Sequence, residues 1–285
     1  MAIAGAHRNW PMQVVKMLFL FVVGVLLLYP FFWLISSSLK PTAEVFTPGK
    51  IELLPRIVVW KNYVDGWFSV RPYTFGRFYL NSLLLVASGV LGTLFTCSLA
   101  GYAFARLRFP GRNKIFLILL ATLMLPYQVT LIPQYIMWAK MGFVGTYIPL
   151  IFPYFTAPAY YTFFMRQFMT SIPYDLDESA VIDGASRFMI YRKIILPLSK
   201  PVAFTVFLFV FGEIYSDFLG PLIYLNNVAK YTVALALNAN IDNEGVVNWA
   251  PILSMTFVSM IPSILVFLVA QKNLREGIAL SGLKA

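Results

Sequence analysis

Histidine and cysteine occur once each in the 285-residue sequence, as His7 and Cys97. With the one histidine in the N-terminal tail and the one cysteine in an apolar run, the sequence offers no set for a zinc site, a Cys–His couple or a Ser–His–Asp triad. A single cysteine in an apolar run also excludes a disulfide framework. Charge is scarce: Asp, Glu, Lys and Arg make up 12% of the residues, against about 25% in a soluble domain. No G-x-x-x-x-G-K-[ST] occurs, so the chain has no phosphate-cradling loop of its own. Internal repeats and low-complexity tracts are absent too.

What is present is apolar: 59% of residues, with 17% aromatic. A bilayer crossing takes about 20 consecutive apolar residues. Charge-free stretches of that order run over 17–39, 78–105, 115–139, 141–165 and 245–271, and a sixth, 201–225, is broken only by Glu213 and Asp217. The spacing predicts an all-α polytopic membrane protein with six transmembrane helices. Little more than Lys140 and Gly142 separates the third and fourth, which predicts a tight hairpin. The first is too long for a signal peptide, and no small-residue cleavage site follows it. The expected divisions are an N-terminal tail 1–16, a first helix 17–39, an external segment 40–77, a five-helix core 78–271 that includes a loop segment 171–201, and a C-terminal tail 272–285.

The net charge of +10 follows the loops. Arg106, Arg108, Arg112 and Lys114 follow the second span; Arg166, Arg187, Arg192, Lys193 and Lys200 lie between the fourth and fifth; Lys272, Arg275 and Lys284 are in the tail. Basic loops stay on the cytoplasmic side, so both termini are expected to be cytoplasmic. The segment 40–77 carries six bases and faces outward against the trend, but long segments weigh little in the rule. The charge then calls for no nucleic-acid partner.

Proline recurs within the spans, at Pro126, Pro133, Pro149, Pro153, Pro158, Pro221 and Pro262. Each removes a backbone bond that lipid cannot replace, so these helices must pack on protein or line a cavity. Glu213 and Asp217 stand four apart, which on a continuous helix is one face. Intramembrane acids are costly and usually face a bundle interior or water. They fit a proton relay, acceptors for a polar solute, or a structural contact. Tyr154, Tyr160, Tyr161, Tyr215 and Tyr224 could offer flat faces to a sugar, although tyrosine is common in this chain. An intramembrane enzyme has little support, since no nucleophile, base and oxyanion donor converge in a recognisable motif.

The informative stretch is Ser171 to Pro201, SIPYDLDESAVIDGASRFMIYRKIILPLSKP. Asp175 with Glu178 predicts a helix N-terminal capping pair, and Asp177 and Glu178 suit the first turn. Gly184 permits a sharp bend. A second short helix follows, with Phe188, Tyr191 and Ile195 on one stripe and Ile190 and Ile194 beside it, and Pro197 is expected to stop it. Such a bent, partly apolar pair fits helix-in-groove docking to a soluble partner, or a surface helix lying on the bilayer.

Glu178, Ala180, Gly184, Ile194, Leu196 and Pro197 meet the spacing E-x-A-x-x-x-G-x9-I-x-L-P. This resembles the EAA loop in permease subunits of bacterial ATP-binding-cassette importers; Ser179 stands where that family usually has a second alanine. Ile182 to Ala185 (IDGA) resembles the carbohydrate-importing branch. Ser38 to Lys40, Asn81 with Ser82, Tyr102 to Arg106 (YAFAR), Phe109 to Arg112, Pro126 to Pro133, Asp217 to Leu219 and Glu276 to Lys284 are similar to the second permease of maltose-type systems. Ser216 and Gly220 depart from it, at positions where asparagine and a large residue are common.

The resemblance implies a type I importer permease fold and a non-catalytic subunit for a sugar or oligosaccharide. It implies two ATPase subunits that carry ATP and Mg, a second homologous permease, and an extracytoplasmic solute-binding protein. It implies the cytoplasmic (inner) membrane of a bacterium or archaeon. It assigns coupling to the ATPase to Glu178, Ser179, Ala180, Asp183, Gly184, Ile194 and Pro197, with the bend allowing close packing and the apolar stripe filling the partner's groove. Glu213, Tyr215, Ser216 and Asp217 are candidates for the solute pathway. The competing reading is a proton-coupled secondary carrier that uses Glu213 and Asp217.

Overall fold

The computed structural model describes residues 10–46, 52–242 and 248–282. His7 and Lys284, expected in cytoplasmic tails, lie outside the described residues. The described elements are helical and include no strand. In chain order they are α1 (Trp10–Ser38), α2 (Lys61–Trp67), α3 (Phe75–Arg106), α4 (Arg112–Ala121), α5 (Tyr127–Lys140), α6 (Ala159–Ser171), α7 (Asp175–Ile182), α8 (Arg187–Leu198), α9 (Lys200–Ser216), α10 (Leu219–Tyr224), α11 (Val233–Asp242) and α12 (Trp249–Gly282), with single turns between them.

Among the described residues, three helices are long and apolar enough to cross a membrane unaided: α1, α3 and α12. Two bent pairs bring the number to five if each is one span. The helices run past the expected span limits. α1 begins at Trp10, inside the expected tail, and α12 runs to Gly282, through most of the other one. The expected span 115–139 is not one helix. α4 ends in a 3-10 turn, and α5 departs at 98°. Pro126 is the N-cap of α5, in extended backbone, since the residue before a helix start need not donate. Residues 141–165 are likewise a single turn at Ile148–Ile151, a 3-10 turn at Phe152–Phe155, and then α6, which opens after Pro158. The stretch 201–225 divides at Asp217 into α9 and α10.

Contacts divide the chain into two compact units, residues 1–69 with 240–258, and residues 70–239 with 259–285. In the first, α1 is exposed along nearly its whole length, with large apolar side chains all round. That pattern suits a lipid surround. Its C-terminal end is tied down: Ser36, Ser37, Ser38 and Lys40 are buried. Asn62 Nδ2 donates to the Ser38 and Lys40 carbonyls at 2.9 and 2.8 Å, and Ser254 Oγ donates to Ser38 at 3.0 Å. These bonds answer carbonyls that a helix end leaves open.

In the second unit α3 is the spine. Its 32 residues span about 48 Å at about 1.5 Å each, well beyond a hydrocarbon core of about 30 Å. It packs most closely against α6 and next against α9. Gly101 makes the first approach possible: a Cβ there would sit 2.7 Å from Met165 Cβ and 3.1 Å from the Arg166 nitrogen. At its other end Asn81 Nδ2 donates to the carbonyls of Ala229 and Tyr231, both at 2.9 Å, and Ser82 Oγ accepts from Val233 N–H at 2.9 Å. Cys97, Met165, Met169, Ile190, Ile195, Val206 and Val210 form the buried core between these helices.

Candidate functional site

The segment 171–201 folds as a bent helical elbow whose geometry comes from its own residues. α7 opens after Tyr174, which makes no side-chain cap. Asp175 is therefore the first helical residue, and the predicted capping pair with Glu178 does not form. Asp175, Asp177 and Glu178 instead all occupy the first turn, where the exposed N–H dipoles favour acid. α7 ends in a Schellman motif: Ala185 N–H reaches the Ala180 carbonyl at 2.9 Å, and Gly184 N–H reaches Val181 at 3.0 Å. That closure needs a left-handed residue, and Gly184 supplies it at φ 77°. No atom of this chain lies within 4 Å of where a Gly184 Cβ would be, so the glycine serves the backbone turn and not packing within the chain. Ser186 then caps α8, its Oγ accepting from Met189 N–H at 3.2 Å.

α8 is not stopped by Pro197. The chain winds as a π-helix over Tyr191–Ile195, with Leu196 N–H bonded to the Tyr191 carbonyl, and stays helical to Leu198. The wider winding tolerates the bond and the space that a proline ring removes. The turn comes at buried Ser199, where α8 and α9 meet at 72°. The apolar stripe predicted for docking is also divided. Ile190, Tyr191 and Ile195 are buried in the chain's own core, with the Tyr191 ring against Tyr102 of α3, and Ile194 packs against that core. Phe188 and Ile182 remain exposed, at 64% and 86%. Glu178, Ser179, Asp183, Gly184 and Pro197 are exposed as well, while Ala180 is buried.

Asp177 was expected only as an acid in the first turn. It is instead buried beneath α7 with Arg106, the last residue of α3. Arg106 Nη1 stands 3.7 Å from Asp177 Oδ1, Nη2 donates to the Ile172 carbonyl at 2.6 Å, and the guanidinium lies over the Tyr174 ring at 5.5 Å. Burial pushes the Asp177 carboxyl above its ordinary range, and Arg106 draws it part of the way back. A cleft of about 690 Å³ opens beside the pair, lined by Arg106, Arg108, Phe109, Tyr174, Glu178, Ile182 and Arg187 among others. The one sequence signal for this pairing is the four-residue spacing of Ser98, Tyr102 and Arg106 on α3.

Glu213 and Asp217 do not share a helix face. α9 ends at Ser216, and Asp217 turns into extended backbone. Its Oδ1 accepts from Gly220 N–H at 3.1 Å and so starts α10. Glu213 accepts from the Tyr154 hydroxyl at 3.1 Å and also from the Tyr161 hydroxyl. Each carboxyl thus has local partners of its own, and the shared face proposed for a proton relay is missing. Tyr215 is buried, stacked on Phe211, with its hydroxyl donating to the Ser259 carbonyl at 2.9 Å. Ser216 is exposed, and its Oγ donates to the Gly212 carbonyl at 2.5 Å. No group of three or more His, Cys, Asp or Glu is placed to hold a metal ion among the described residues.

Residues 92–278, from mid-α3 through the elbow and into α12, match the family described as binding-protein-dependent transport system inner membrane component. The chain belongs to that family. It is therefore a membrane-embedded permease component, non-catalytic, with the all-helical type I importer fold. Its similarity to relatives runs end to end. It is 30% identical to the arabinooligosaccharides transport system permease protein AraQ of Bacillus subtilis, over 94% of each chain. It is also 30% identical to the trehalose/maltose transport system permease protein MalG of Thermococcus litoralis, over 95% of this permease and 98% of the relative. A subunit in the crystal structure of a bacterial ABC transporter involved in import of the acidic polysaccharide alginate superposes with a TM-score of 0.82. The match has 23% identity and covers 95% of this permease and 99% of that chain.

Proposed function

We propose that this permease forms half of the translocation pathway of an ATP-driven importer for an oligosaccharide. It crosses the cytoplasmic membrane of a bacterium or archaeon six times, with both termini and the elbow inside. A second, homologous permease completes the pathway. Two ATPase subunits bind ATP and Mg and seat the elbow, and an extracytoplasmic binding protein delivers the solute. The oligosaccharide class follows the names of relatives that this chain matches along nearly their whole length.

The observation that carries the coupling role is the elbow itself. A Schellman turn and a serine cap rigidify it, yet Glu178, Ile182, Asp183 and Phe188 are left exposed on it. Acidic and apolar groups presented together on a preformed helix suit docking into a groove. Within the pathway, Glu213 and Ser216 are exposed one turn apart on α9; both are acceptors for solute hydroxyls. Asp217 and Tyr215 support them by starting α10 and packing α9.

The test is reconstitution with candidate ATPases, the neighbouring permease and the binding protein in proteoliposomes. Oligosaccharide uptake is expected to require ATP and to survive an uncoupler. Glu178→Ala is expected to lower uptake by about tenfold, in line with the loss of a charge-assisted contact of about 1.5 kcal/mol. Uptake that persists without ATP, or a Glu178→Ala complex equal to wild type, overturns the reading.

A further inference from the structure

Three polar side chains leave α3 on one face, one turn apart, and each ends on the elbow. The Ser98 and Tyr191 hydroxyls are 2.8 Å apart. The Tyr102 hydroxyl donates to the Arg187 carbonyl at 3.0 Å. Arg106 donates to the Ile172 carbonyl at 2.6 Å and stands 3.7 Å from Asp177. The three side chains thus reach the chain before α7, α7 itself, and both the start and the π-turn of α8.

The last contact is the unusual one. The side chains of Arg106 and Asp177 are 3% and 1% exposed, and neither Asp177 oxygen has a hydrogen-bond donor. Taking two charges out of water costs more than such a pair commonly returns, and a packed apolar pair would hold the elbow as firmly. What an ion pair adds is direction. The guanidinium is fixed by the Ile172 carbonyl on one side and Tyr174 on the other, so only one rotation of α7 brings Asp177 beneath it. Neighbouring residues on a helix project about 100° apart. Fixing Asp177 inward therefore fixes Glu178 outward.

The geometry points to Arg106 as a positioning residue for energy coupling. With Tyr102 and Ser98 it clasps the elbow to the end of α3 and, through Asp177, sets the rotation at which α7 presents Glu178 to the ATPase. This rests on the importer reading above. In this scheme the elbow is steered by α3, which is remote from it in sequence, as well as by the spans on either side of it.

The test uses the full reconstituted complex and measures ATP hydrolysed per solute imported. In Arg106→Gln and Asp177→Asn the ATPase is expected to stay bound and active, while the ratio rises about fivefold or more. Arg106→Lys, which keeps charge but not the planar fork, is expected to fall between. The double variant Arg106→Gln/Asp177→Asn leaves no unpaired buried charge. Its ratio is expected to be no worse than that of either single variant, because the two side chains act as a unit. A wild-type ratio in both single variants overturns the assignment, as does a double variant whose defect is the product of the two. If the variants at Arg106 and Asp177 do not fold, Tyr102→Phe removes one hydroxyl contact and is read instead. A rise of about twofold is then expected, and an unchanged ratio overturns the proposal. A wild-type complex that hydrolyses no ATP during uptake instead sinks the importer reading, independently of any variant.

Discussion

At the scale of single residues, burial changes what an acid does. Glu178 and Asp177 are neighbours in one helical turn, yet one is exposed and the other is 1% exposed beside Arg106. The folded-state carboxyl of Asp177 is raised above the ordinary 3.8. A raised acid keeps its proton to higher pH in the folded chain than in the unfolded one. Its contribution to stability is complete below the unfolded value and is lost as pH rises through the folded value. Asp177→Asn removes that titration. The melting temperature of the wild type relative to the variant should therefore fall as pH rises from about 4 towards neutral. A difference that stays flat across this range would show that the carboxyl is not raised. At Gly184 the backbone decides instead: φ 77° with open space beyond identifies a left-handed helix stop.

At the scale of elements, α3 sets the arrangement because its small residues let neighbours in. Any side chain at position 101 meets the α6 backbone at Arg166 as well as Met165 Cβ, and backbone cannot move aside as a flexible tip can. Gly101→Leu should destabilise the second unit by about 1–3 kcal/mol or more through overpacking. Detergent-solubilised variant should accordingly unfold at lower temperature than wild type; an equal transition would mean that α3 and α6 are not so closely apposed. The prolines were legible as interruptions but not as shapes. Pro126 and Pro158 begin helices, and Pro197 lies within one because a π-turn takes up its missing bond. Sequence periodicity does not encode that choice, since it depends on which neighbour fills the space around the ring.

At the scale of the molecule, hydropathy and charge predict a multi-pass membrane protein, the resemblance carried by the 171–201 segment points to a permease, and the family match over residues 92–278 shows one. The proposed six-crossing arrangement has a direct test in a Cys97→Ser background. Single cysteines at Asn113 and Phe188, both exposed, should react with an impermeant thiol reagent only from the cytoplasmic side. One at Arg56, exposed in the segment after α1, should react only from outside. Labelling of all three from one side would break the topology. Crossings are hard to delimit from sequence in such a chain. A charge-free run reports that a segment is apolar, and it reads the same whether the run is one straight helix or two pieces bent by 98°.

Read alone, the sequence is enough to place this chain in lipid and to mark an acidic segment bent at a glycine between two apolar runs. Those properties follow from composition and from spacing within about twenty residues, where local backbone preference governs. Which face of that segment stays exposed is set by packing against distant parts of the chain. Arg106 lies 71 positions before Asp177, and Tyr154 and Tyr161 lie more than fifty before Glu213. Whether a polar side chain finds a partner across such a gap depends on how the helices pack. The same packing buried Ile190, Tyr191 and Ile195 within the chain and left Ile182 and Phe188 exposed.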